Sequence, residues 1–263
     1  MPSQTITIPQ HKHYAKEFSI CTLVNNPGEY ELMKESFIKN GFTEHCEFLI
    51  ADNISRNNFN PYQALRRFMQ EATGRYLVVV HQDVRCIDSC EKLLAKLQAL
   101  QTQDNSWAVC GNAGGNGYKD FSFSIKNKGK IKKSDKLPAR VTSLDENFLI
   151  IRSDCGLAIS ADIEFFHFYG TDLCLLADIL GFTCYVIDFM VNHLSAGNLA
   201  DMEMHKPAFV AKYGRKLRNR FIQTSCTTFY LGRSTESNKR YNSGPAFFWV
   251  KALQRMSNLF GKK

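Results

Sequence analysis

Residues 76–84 read YLVVVHQDV. An unbroken apolar run without alternation describes a strand covered on both faces, as in a parallel sheet. The run ends on an imidazole, an amide and a carboxylate: His81, Gln82 and Asp83. Either the chain simply meets water there, or the strand delivers three polar groups to a site. The neighbouring segments bear on which.

Upstream, FSICTLV (18–24) is a β-branched and apolar run bounded by Asn25, Asn26, Pro27 and Gly28. A helical pattern follows through Met33, Phe37 and Ile38 and stops at Asn40-Gly41. CEFLIA (46–51) predicts a second strand, ending on Asp52-Asn53. Asn60 and Pro61 read as the cap and first turn of a helix with Leu65, Phe68, Met69 and Ala72 on one face. Downstream, Asp88 or Ser89 caps a leucine-rich helix, and WAVCG (107–111) predicts another strand. Strands alternating with helices predict right-handed crossovers and a mostly parallel mixed sheet flanked by helices, an α/β fold. In such sheets ligands gather at the carboxyl ends of the strands. Asn25/Asn26, Asp52/Asn53 and His81/Gln82/Asp83 all fall at that edge, which favours the site.

After residue 111 the rhythm breaks. GNAGGNGYKDF reads as a glycine-rich loop, and KNKGKIKKSDK (126–136) is too basic to pack and predicts a mobile segment. NFLIIRS (147–153) restores a strand. FYGTDLCLLADILGF (168–182) predicts a helix, and TCYVIDFMVNHLSAG (183–197) a strand leaving into a loop through His193. From Pro245 a basic amphipathic helix is expected, suited to packing on its own domain, to a sister subunit in a homo-oligomer, or to an anionic membrane surface. These signals place one domain over 1–215 and a basic extension over 216–263.

Composition narrows the classes. The 263 residues carry a net charge of +8, which favours anionic partners without choosing among them. The N-terminus has no signal-peptide pattern, and no stretch approaches a membrane span, so a cytoplasmic protein is expected, at most peripheral to a membrane. Nine cysteines are then reduced, mostly buried thiols, and Cys86 with Cys90 lacks partners for a four-ligand zinc set. Basic and aromatic residues are not interleaved as in a nucleic-acid reader, and no nucleic-acid partner is expected.

The order of these segments resembles the GT-A glycosyltransferases, most closely the large inverting family two, over residues 18 to 197. LDENFLIIR (144–152) is similar to that family's acceptor-side strand, YGTDLCLLADILGF (169–182) to its acidic helix segment, and VIDFMVNHLSAG (186–197) to its strand before a His-containing loop. His81-Gln82-Asp83 stands where the family has Asp-x-Asp. The resemblance implies transfer of a sugar from a nucleotide-diphosphate sugar to a carbohydrate or lipid-linked hydroxyl acceptor, assisted by a divalent cation, Mn²⁺ or Mg²⁺. Such an ion stabilises the leaving diphosphate as a Lewis acid. It implies Asp83 and His193 as metal ligands. Asn25, Asn26, Asp52, Gln63, Arg66, His81 and Asp83 would bind the donor. Asp145 would line the acceptor pocket, and Asp172 would be the general base. The family's processive motif and membrane helices are missing, so transfer is expected to be non-processive.

Two other classes remain. A nucleotide-sugar-binding module without turnover fits the incomplete acidic motifs. Gly111, Gly115 and Gly117 fit the spacing of short-chain dehydrogenases, but they follow the wrong strand and open no amphipathic helix.

Overall fold

The computed structural model describes residues 13–116, 120–195, 199–216, 219–223, 228–243 and 248. The chain divides into two compact units, Met1–Met202 and Glu203–Lys263.

The first unit opens with β1 (Lys16–Val24), α1 (Pro27–Lys39), β2 (Cys46–Asp52), α2 (Pro61–Glu71) and β3 (Gly74–Val80). Each helix starts where its sequence provides a cap. The Asn26 side chain accepts from the Glu29 amide (3.2 Å), and Asn60 and Gln63 form a reciprocal capping box. Gly41, at φ +88°, takes the left-handed conformation that ends the turn after α1. β4 (Val84–Cys86), α3 (Cys90–Gln103) and β5 (Trp107–Gly111) follow.

The segment expected to be irregular is largely strand. It comprises β6 (Ala113–Gly115), β7 (Phe121–Asn127), β8 (Lys130–Lys133), β9 (Ala139–Val141), β10 (Ser143–Leu144) and β11 (Phe148–Arg152). KNKGKIKK is therefore not a loose segment but most of a β-hairpin, in which Asn127 pairs with Lys130 and Ile125 with Lys132. A strand at a sheet edge can expose both faces, so dense lysine does not forbid it. A 3₁₀ turn at Ser153–Cys155, α4 (Tyr169–Ile179), β12 (Thr183–Val186) and β13 (Val191–His193) complete the unit.

The main sheet has the order β2-β1-β3-β11-β5-β12-β9. β2, β1, β3, β5 and β12 run parallel, while β11 and β9 are antiparallel to their neighbours. The expected mostly parallel mixed α/β sheet is thus present, with helices packed on it. One face is sealed by Met33 and Phe37 of α1 and by Leu93, Leu97 and Leu100 of α3, over Phe18, Ile20, Val78, Val80, Phe148 and Ile150. Apolar burial of this kind, at about 25 cal/mol per Å², is what holds the sheet layer closed.

A second sheet, β10-β6-β7-β13-β4, carries β8 on β7. It begins where β3 ends. The chain turns through His81–Val84, with the Val84 amide donating to the His81 carbonyl (3.1 Å), and enters β4. In the second unit, the described residues form the end of α5 (Leu199–Lys216), a β14–β15 hairpin (Arg220–Gln223, Thr228–Leu231) and α6 (Thr235–Ser243). The amphipathic helix expected from Pro245 lies, Phe248 apart, outside the described residues. No helix among the described residues is long and apolar enough to cross a membrane. The described cysteines are free thiols, most of them buried.

Candidate metal centre

The parallel register of β1, β2 and β3 brings Asn25, Asp52 and His81 to one edge of the main sheet. What completes the site is the second sheet. β13 pairs antiparallel with β4, so that His193 faces Val84, and the Leu194 amide donates to the Asp83 carbonyl (3.2 Å). Two segments over a hundred residues apart are thereby placed side by side.

One nitrogen each from His81 and His193 and one oxygen from Asp83 lie within 4.8 Å of one another. His193 Nε2 is 3.6 Å from an Asp83 oxygen, and His81 Nδ1 is 4.0 Å from the other. His81 Nε2 meets the Tyr169 hydroxyl at 2.7 Å, and that hydroxyl donates to the Glu146 carbonyl (3.2 Å). A tyrosine has one proton to give, so Nε2 is the donor and Nδ1 carries the lone pair toward Asp83. Burial, the strongest influence, holds His81 below its ordinary pKa; Asp83 opposes this and His193 adds to it. A neutral imidazole with one nitrogen fixed by an outer hydrogen bond is the form that ligates metals. Two imidazoles and a carboxylate in this arrangement could hold a metal ion with coordination positions to spare.

Gln82 points the other way. Its Oε1 accepts from the amides of Asn25 (3.1 Å) and Asn26 (3.0 Å), and its Nε2 donates to Asn25 Oδ1 (2.5 Å). The middle residue of the tripeptide therefore ties the end of β3 to the end of β1. Arg85 fastens the same turn, donating to the carbonyls of Gln82 and Val84 (3.0 Å each) while paired with Glu29. Neither role has a signature in the sequence, since an amide and a guanidinium near a strand end are equally common as solvent-facing groups.

His81, Gln82 and Asp83 line a cleft of about 290 Å³ whose other walls include Leu23, Leu65, Phe68, Phe166 and Tyr169. It has an apolar flank and a polar end, the usual make-up of a small-molecule pocket.

The other expected site residues are spread around this centre. Asp145 is exposed, on the loop that supplies the Glu146 and Asn147 carbonyls to Tyr169 and His81, and its charge reaches His81. Asp52 accepts from the Ile54 amide (2.8 Å) at the exposed end of β2. Asn26 spends its side-chain oxygen on capping α1. Gln63 and Arg66 line a separate shallow depression with Asn58 and Arg67. Gln63 is half of the α2 capping box, and Arg66 donates to the Ser160 carbonyl (2.9 Å). Asp172 is fully buried, accepting from the Ser160 amide (2.9 Å) and hydroxyl (2.6 Å). The α4 residue that reaches the centre is Tyr169, one turn earlier.

Glu146 and His167 form a pair that the sequence did not suggest. His167 lies between Glu146 (3.8 Å) and Asp201 (3.1 Å). Glu146 raises the His167 pKa against the effect of burial, while burial pushes the Glu146 carboxyl up. The glycine-rich stretch has a packing role instead. A Cβ on Gly114 would lie 2.5 Å from the Ser143 carbonyl oxygen, and one on Gly111 2.9 Å from that of Phe148. These glycines let strands approach one another rather than cradle a phosphate.

Fold and site together define an α/β protein with a candidate metal centre at the carboxyl edge of its main sheet. The chain is 34% identical over 223 residues to "ATP synthase subunits region ORF 6" of Fuscovulum blasticum, covering 80% of this chain and 88% of that protein, and it belongs to the same family. No family model matches it. Among solved structures it is similar to A197 from STIV, at a TM-score of 0.44 and 15% identity, over 68% of this chain and 86% of that one.

Proposed function

We propose that the protein is an inverting GT-A-type glycosyltransferase that moves a sugar from a nucleotide-diphosphate donor to a hydroxyl acceptor. The observation that carries this reading is the His81–Asp83–His193 cluster at the polar end of a cleft with apolar walls, at the carboxyl edge of parallel strands. In this reading the apolar flank takes the nucleoside, and Gln82 holds the ends of β1 and β3 at a fixed spacing beneath it. Two imidazoles among three ligands suit Mn²⁺ better than Mg²⁺, which demands oxygen. A cation held by His81, Asp83 and His193 would supply a Lewis acid for the departing diphosphate.

The proton of the acceptor hydroxyl needs a carboxylate that solvent and substrate can reach. Asp145 meets that condition. Asp172, enclosed by Ser160, is given a positioning role: it fixes the first turn of α4, and with it the Tyr169 hydroxyl that orients His81. A binding module without turnover is the second reading, favoured by this enclosure of Asp172.

Melting curves with UDP, GDP, CDP and dTDP, each with and without Mn²⁺, test the proposal. A hundredfold excess over Kd adds about 2.7 kcal/mol, a Tm rise of roughly 5–10 °C for a chain this size. One nucleotide should give that rise with Mn²⁺ and not without it, and Asp83→Ala should abolish it. If no nucleotide shifts Tm, both readings fall. Donor turnover in wild type that is lost in Asp145→Asn separates enzyme from binder.

A further inference from the structure

The β7–β8 hairpin carries charge of one sign only. Residues 121–134 contain five lysines and no acidic residue. Lys133 is engaged by Asp188 (2.8 Å), which also draws Lys96 (3.6 Å) and Lys92 (3.9 Å). Among the described residues, no carboxylate pairs with Lys126, Lys128, Lys130 or Lys132. Beside these charges stand two large apolar side chains that burial has left out: Phe121 is 62% and Ile131 64% exposed. Phe121 stacks on Phe123 (6.1 Å between centroids), and Lys132 lies 5.4 Å from the Phe123 ring. The hairpin is held in place by β13, Ile125 facing Val191 and Asn127 facing His193, and by Ser124 on Asp188 (3.2 Å).

Lysines on an edge strand discourage pairing between molecules. That role does not call for a phenylalanine and an isoleucine exposed beside them. The cross-strand register sets Ile131 directly opposite Lys126 on one face and puts Phe121 with Lys130 and Lys132 on the other, so each face carries an unpaired lysine and a protruding apolar group. That combination suits an anionic bilayer, where headgroups meet the ammonium ions and the apolar groups enter the interface. We propose that the β7–β8 hairpin docks the protein on an anionic phospholipid membrane. The docking surface is tied to the candidate metal centre, because the Lys128 amide at the hairpin turn donates to the His193 carbonyl (3.2 Å). A reacting group carried by the membrane would meet the centre along this edge. The binding itself does not depend on the glycosyltransferase reading.

Co-sedimentation of the full chain with vesicles of phosphatidylcholine, with and without phosphatidylglycerol, tests the proposal. Binding should require the anionic lipid and weaken with salt. Each lysine removed should weaken it about fivefold, so that Lys126→Gln, Lys128→Gln, Lys130→Gln and Lys132→Gln together cost more than about 100-fold. Phe121→Ser with Ile131→Ser should cost about tenfold at unchanged charge. Lys34→Gln with Lys39→Gln, on α1, should leave binding within about twofold. All variants should stay folded, with Tm within a few degrees of wild type, because the altered side chains are exposed or half-exposed and none lies in the core.

Four results would overturn the proposal: no binding to anionic vesicles, undiminished binding by the four-lysine variant, an equal loss in the α1 control, or no loss on removing Phe121 and Ile131. Release by micromolar inorganic pyrophosphate, at an ionic strength that otherwise leaves binding intact, would also overturn it, in favour of a phosphate pocket. Hairpin-dependent binding of an oligonucleotide in place of vesicles would make the surface a nucleic-acid site.

Discussion

Gln82 has three hydrogen bonds to the end of β1, and all of them involve the two asparagines that follow it. Gln82→Ala removes them in a partly exposed setting, so a stability loss of about 1 kcal/mol is expected in denaturant titration. If the proposed donor site is right, nucleotide affinity should fall more than stability does, because the spacing of two strand ends sets the cleft. Asp172→Asn replaces a buried carboxylate that accepts two hydrogen bonds from Ser160 with an amide that offers one oxygen. A loss of about 2–3 kcal/mol is expected. An acid in the first turn of a helix looks the same in sequence whether it steadies the helix, caps a loop or faces a substrate. Asp172 was a candidate base only through the resemblance, whereas Asp83 stands at the end of a strand that its own apolar run marks. The strand-tying role of Gln82 and the contact of Tyr169 with His81 carried no signal, since their partners lie 57 and 88 positions away.

At the scale of elements, β1, β2, β3 and β5 were legible because buried parallel strands leave continuous apolar runs. β11 is equally apolar, but a strand's direction leaves no trace in its burial, so its antiparallel insertion between β3 and β5 could not be read. β4 and β13, three residues each, are too short to show a period, yet their pairing brings together the candidate metal centre. Asp104 shows how such elements are joined. At the end of α3 it accepts from Thr183 (2.6 Å) and Tyr185 (2.8 Å) of β12 and from the Ser106 amide (2.8 Å). The Thr183 hydrogen bond is the main cause of its lowered pKa, with burial opposing. A carboxyl whose folded-state pKa is depressed adds stability above its unfolded value, and this is lost as pH falls through the folded value. The acid limb of the stability–pH curve should therefore flatten below the ordinary carboxylate range in Asp104→Asn.

For the whole molecule, the expected α/β architecture is present, and the second sheet is what converts a strand end into a site. YLVVVHQDV delivers His81 and Asp83 to the sheet edge; the chain must then run through β7–β8, β11 and α4 before β13 returns with His193. No local pattern links 83 to 193, which is why the histidine could be suggested only by resemblance. The central claim is that these three side chains bind one divalent cation. Electron paramagnetic resonance of Mn²⁺ titrated into the protein measures this directly, since bound Mn²⁺ loses the six-line signal of the free ion. One equivalent should vanish from the free signal in wild type, and Asp83→Ala and His193→Ala should each weaken binding about 10- to 100-fold or more at an unchanged Tm. A free-ion signal that persists in wild type, or vanishes equally in both variants, would contradict the claim.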